Sequence, residues 1–218
     1  MNYEVYFKNH SRAMKFPWSI YHKPLLNDLI KFLNKYVTKG SNILVIGPGD
    51  FQELDYLLSL NAQVSVLDID PRVIEMLKTK YPGKFKDFFL VDDSFNGYPS
   101  ENSFNVIYAK EVIEHIPNSE MFLKKCYQLL VGGGHLWLST PNYGFFLLPF
   151  LESTILEIIA RISGFSRKNI HPAKFSSRKL EESLKKCGFK VIESNKTFLK
   201  LALTINGHVL NPRGVSIK

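Results

Sequence analysis

Four residues have the types and spacing to do chemistry together. Glu111, Glu114 and His115 stand at i, i+3 and i+4, so one helical turn would project all three from one face. Two carboxylates and an imidazole suit a divalent ion such as Mg²⁺, Mn²⁺ or Zn²⁺. His171, in the later HPAKF segment, supplies a fourth ligand. An ion held there would grip two substrate oxygens and lower the pKa of an attacking hydroxyl. Without metal, His115 or His171 serves as a general base, and Glu111 merely favours a helix N-terminus. His10, His22, His135 and His208 stand alone and take no role; His135 opens an apolar run and reads as structural.

A second constellation is the Gly47-Pro48-Gly49 turn with Asp68 about twenty residues on. Glycine there lets backbone approach a ligand closely. A carboxylate at a strand end can accept two hydrogen bonds from ribose hydroxyls. Dinucleotide-binding enzymes share this pattern, but Gln52 stands where their third glycine would fall. The acidic stretch from Asp50 to Asp55 also suits a cationic ligand better than a diphosphate.

The elements that must position these residues alternate. Apolar runs Asn42–Ile46, Gln63–Leu67, Phe88–Val91, Phe104–Ala109 and His135–Thr140 read as buried strands. Between and around them, Pro24–Val37, Leu54–Leu60, Pro71–Lys80, Ser119–Leu130 and Ser177–Cys187 carry helical periodicity. Gly132–Gly134 reads as a tight turn, and Phe189–Glu193 and Thr197–Ile205 as the last two strands. This alternation predicts an α/β fold, a doubly wound, mostly parallel sheet of seven strands covered on both faces. Ligands of such sheets sit at the carboxyl ends of the strands, where both constellations fall.

ILVIGPGDFQE, VSVLDIDPRVIEML, FFLVDDSF, NSFNVIYAKEVIEHIPN, LLVGGGHLWLSTPN and HPAKFSSRKLEESLKKCGFKVIE occur in that order. Together, over about residues 40–195, they resemble the class I S-adenosylmethionine-dependent methyltransferases. The resemblance implies a Rossmann-like fold and S-adenosylmethionine as cofactor. Gly47 and Gly49 would line its methionine part, Asp68 hold the ribose, Ile69 pack on adenine, and Asp93 with Ser94 meet the adenine amino edge. The sequence departs from the family pattern at Val45, where an acid usually stands, and at Phe51, where a third glycine does. EVIEH resembles the corresponding run of metal-assisted O-methyltransferases of ubiquinone biosynthesis and of small-RNA 2′-O-methylation. Other members of the family use a similar histidine for hydrogen bonding without metal.

The chain has 218 residues, with 45% hydrophobic and 22% charged, enough for one α/β domain and unlike a disordered or disulfide-stapled chain. Cys126 and Cys187 form no CxxC, the start lacks an apolar leader core, and a cytoplasmic chain is expected. The net charge of +8 is unevenly spread. Residues 1–40, an N-terminal helical arm, carry seven Lys/Arg against two acids; 41–142 carry eight against thirteen; 143–218 carry thirteen against five. Basic flanks point to an anionic partner. Residues 143–170 form an insertion whose Leu151, Ile155, Ile158, Ile159 and Ile162 repeat at helical spacing. It reads as a helical lid, a homodimer contact, or a helix lying on an anionic membrane. The expected acceptor is a hydroxyl on a small-molecule, lipid-linked or glycan substrate. The alternatives are RNA ribose methylation, for which no RNA-reading motif is present, and a non-catalytic module that keeps the fold.

Overall fold

The computed structural model describes residues 19–49, 53–144, 150, 154–162, 171–195 and 204–212. Five parallel strands form the body of one sheet: β1 (Asn42–Ile46), β2 (Gln63–Asp68), β3 (Phe88–Leu90), β4 (Phe104–Lys110) and β5 (Leu130–Pro141). Their spatial order is β3-β2-β1-β4-β5. Beyond β5 the sheet continues antiparallel through β7 (Thr204–Pro212) and then β6 (Phe189–Asn195). Strand order reverses between β1 and β4, so the crevice above their carboxyl ends is the place for a ligand.

The pleat of β1 divides the core. Leu44 and Ile46 face one layer with Phe122, Leu123, Cys126 and Leu129 of α4 (Ser119–Leu129) and Leu180 and Leu184 of α6 (Ser177–Lys186). Ile43 and Val45 face the other, against α1 (Ser19–Tyr36), α2 (Leu54–Leu58) and α3 (Pro71–Lys80). β1, β2 and β4 are thus covered on both sides, which is why they read as continuous apolar runs. The helix expected to begin at Pro24 begins at Ser19 instead, with Pro24 inside it. Its buried face is Leu25, Leu29, Phe32 and Leu33. Asn118 and Ser176 cap α4 and α6 by accepting from Met121 and Lys179 N–H groups.

Two expectations need correction, and the insertion is described in part. The glycines 132–134 lie inside β5, looped out where the register passes from Phe104↔Leu130 to Val106↔His135. The last strand is Thr204–Pro212, made by antiparallel pairing between β5 and β6, whereas residues 197–203 lie outside the described residues. In the insertion, α5 (Ile155–Ile162) is present, but Ile158 and Ile162 are exposed while Glu157 is buried and paired with Arg161. Leu151, Arg167 and Lys168 lie outside the described residues.

Candidate active site

The loop after β1 is built on positive φ. Gly47 has φ +61° and Gly49 φ +58°, and the Gly47 N–H donates to the Leu67 carbonyl at 3.0 Å. A Cβ on Gly47 would lie 2.7 Å from Val112 Cγ2, so backbone and the β4 loop fit only without a side chain there. Asp50, Phe51 and Gln52 lie outside the described residues. At the end of β2, Asp68 accepts the Asp70 N–H at 2.8 Å, and Asp70 in turn caps α3 through the Arg72 N–H at 2.9 Å. Burial pushes the Asp68 carboxyl up to about 6, opposed by the N–H groups of Asp70 and Ile69. Ile69 is 48% exposed beside it. After β3, Asp92 accepts from the N–H groups of Ser94 and Asn96, which folds the loop and leaves Asp93 and Ser94 exposed. A glycine backbone turn, a carboxylate at a strand end and an open apolar face occur in that order along one edge. They fit an adenosyl ligand with an aliphatic tail.

The acid–histidine cluster is only partly the one expected. Glu111 is not on a helical turn with Glu114 and His115, because its φ is +55° and the short 3₁₀ turn spans Ile113–His115. Ser139 sets this conformation from the neighbouring strand. Its carbonyl and hydroxyl accept the Glu111 N–H at 3.2 and 3.1 Å, and its Oγ donates to Glu111 Oε1 at 2.9 Å. Glu111 is therefore turned away to β5, and the close set consists of Glu114, His115 and His171. One ligand atom of each lies within 4.8 Å of the others.

The trio is held from three directions. Glu114 is buried, and Thr140 Oγ1 donates to its Oε2 at 3.0 Å. The segment carrying His171 runs beside the extension of β5: the Tyr143 N–H donates to the Phe175 carbonyl at 2.7 Å and the Ala173 N–H to the Glu114 carbonyl at 3.1 Å. Tyr143 Oη is hydrogen-bonded to His171 Nδ1. The His115 and His171 ring centroids are 5.0 Å apart. One carboxylate and two imidazoles make an ordinary divalent-ion donor set. Thr140, inside β5, was not singled out in the sequence, and Tyr143 only by its place just past the strand end.

Nor did the sequence point to a buried ion pair at the same edge. Lys110 Nζ lies 2.6 Å from Glu53 Oε2, with Glu53 fully buried. Glu53 Oε1 is buried without a hydrogen-bond partner, which costs about 1–3 kcal/mol.

Comparison with known proteins follows this geometry. A family model described as a methyltransferase domain matches residues 18–194. The mitochondrial ubiquinone biosynthesis O-methyltransferase of Rattus norvegicus is 32% identical over 187 residues, covering 79% of this chain and 48% of that protein. The ubiquinone biosynthesis O-methyltransferase of Proteus mirabilis is 24% identical over 148 residues, covering 63% and 58%. The chain spans about half the length of the curated relatives it matches. Among solved structures, a Burkholderia thailandensis 1,6-didemethyltoxoflavin-N1-methyltransferase, solved with its substrate and S-adenosylhomocysteine, shares the fold. Its TM-score is 0.67 at 14% identity, over 97% of this chain and 86% of that one. An S-adenosylmethionine-dependent methyltransferase of Mesorhizobium loti gives 0.66 at 13%, over 85% and 100%.

Proposed function

Because the chain belongs to the class I S-adenosylmethionine-dependent methyltransferases, we propose that its acceptor atom is a hydroxyl oxygen. The observation that carries this reading is the Glu114–His115–His171 cluster at the carboxyl edge of the sheet. The names of the relatives, O-methyltransferases of ubiquinone biosynthesis, agree with it. Gly47, Gly49 and Asp68 would take the methionine and ribose parts of the cofactor, Ile69 the adenine face, and Asp93 and Ser94 its amino edge. When bound, the sulfonium cofactor supplies an electrophilic methyl group. Transfer is an in-line displacement, so most of the protein's work is to align acceptor oxygen and methyl.

Glu114, His115 and His171 would hold a divalent ion, which when bound lowers the pKa of a coordinated hydroxyl. With Glu111 turned away, imidazoles outnumber carboxylates, and the set suits Zn²⁺ or Mn²⁺ better than Mg²⁺. Thr140 orients Glu114, and the Tyr143 contact occupies His171 Nδ1, so Nε2 would be the nitrogen left to bind the ion. The acceptor is an amphipathic phenol or a lipid-linked or glycan hydroxyl. Exposed Phe150, Ile158 and Ile162 beside a strongly basic C-terminal third support work at an anionic lipid surface. Among the described residues no helix is long and apolar enough to cross a membrane.

The test is methyl transfer from S-adenosylmethionine to a panel of catechols, phenols and polyprenyl phenols, with and without Zn²⁺ or Mn²⁺. Metal-stimulated methylation of a hydroxyl, lost with chelator and restored by metal, is expected. Chelator-insensitive turnover would leave His115 or His171 as a general base, and selective methylation of RNA 3′ ends would replace the small-molecule acceptor.

A further inference from the structure

The Glu53–Lys110 pair has no part in the chemistry described above, yet it lies at the same edge. Its position follows from the sheet. With ribose at Asp68 on β2 and adenine toward β3, as proposed above, the methionine end of the cofactor would run across β1 toward β4. Two strand spacings separate β2 from β4, about 10 Å, a distance the ribose C5′, the sulfur and the aminobutyrate chain span when extended. Ile46 pairs with Ala109, so Lys110 stands level with Gly47 at that end of β4. Val45, the nearby β1 side chain, is buried in the apolar core and brings no charge.

Lys110 alone would repel an ammonium group. Its pairing with Glu53 at 2.6 Å neutralises it and occupies Oε2, while Oε1 stays buried without a donor. A buried carboxylate oxygen with no donor among the described residues fits a donor that arrives with a ligand, and a charged donor makes the stronger bond. We infer that Glu53 Oε1 accepts the α-ammonium group of the cofactor's methionine end, with Lys110 holding the carboxylate in place. This rests on the cofactor placement proposed above. It assigns the ammonium to a residue that lies 57 positions from its partner in sequence.

Calorimetric titration separates the two readings. The full chain is titrated with S-adenosylhomocysteine, with its deamino analogue, and with 5′-methylthioadenosine, which lacks the amino-acid end. The wild type is expected to prefer S-adenosylhomocysteine over the deamino analogue by at least about tenfold. E53Q abolishes that preference and leaves 5′-methylthioadenosine binding unchanged. E53L/K110M removes both charges together, so no lone buried charge unsettles the fold, and it shows the same loss. A preference that survives in both variants overturns the inference while the cofactor placement stands. A wild type that binds none of the three ligands overturns that placement, and the inference with it.

Discussion

Asp68 and Glu111 show how a neighbour decides what a carboxylate can do. Asp68 is raised to about 6 because burial disfavours its charge more than two N–H groups stabilise it. Ribose hydroxyls donating to it would favour the ionised form and pull its pKa back down. Below pH 6 the ligand-free residue holds a proton that binding must release, so affinity rises with pH and levels off above 6. Between pH 5 and 6.5 the metal-free affinity for S-adenosylhomocysteine is expected to rise roughly tenfold. D68N should bind more weakly with a flat profile, which titration across that range checks. A flat wild-type profile would remove Asp68 from the ribose site. For Glu111, the Ser139 contacts predict that E111Q keeps Zn²⁺ affinity within roughly a factor of three, whereas E114Q loses at least about tenfold. Equal losses in both variants would return Glu111 to the ligand set.

At the scale of elements, the strand ends make the site and their loops fix its shape. Gly47 accommodates both a left-handed backbone and the close approach of Val112. G47A is expected to lose about 1–2 kcal/mol from the backbone alone, with a further loss from displacing Val112. Urea unfolding of G47A against G47A/V112A tests this, because the second variant relieves the side-chain contact but not the backbone. Identical midpoints would mean that Val112 moves aside freely. The left-handed Glu111 is the matching device at the end of β4. It breaks the helical turn that its spacing suggests, and it leaves only Ile113–His115 to present Glu114 and His115.

For the whole molecule, charge and exposed apolar residues matter more than any single contact. The acidic middle segment, 41–142, carries most of the site, and the basic C-terminal segment adds His171 to it. The chain is expected to float with anionic vesicles and not with neutral ones. Binding should weaken as salt shortens the screening length, and I158E/I162E should abolish it at low salt. Retention of that variant on anionic vesicles would show that charge alone carries the contact. Salt-sensitive binding to RNA with no vesicle binding would assign the flanks to nucleic acid instead.

The sequence by itself determined the layered sheet, because a strand buried on both faces must be apolar throughout, as NILVI and FNVIYA are. It also pointed to the glycine turn and to the acid that ends β2, since these depend on residue type at short range. Only the tertiary structure decided which acids join the histidines. Spacing alone placed Glu111 with Glu114, but a hydroxyl 28 residues away, Ser139, holds it in the left-handed region. Likewise Glu53 and Lys110 carry no mutual signal in the chain, and only the adjacency of β1 and β4 brings them together. The course of β7 was misplaced for the same reason, since a strand inserted between two others is defined by the partners it pairs with on either side. Local pattern reports what a residue prefers, whereas a site is made of residues that long-range packing brings together.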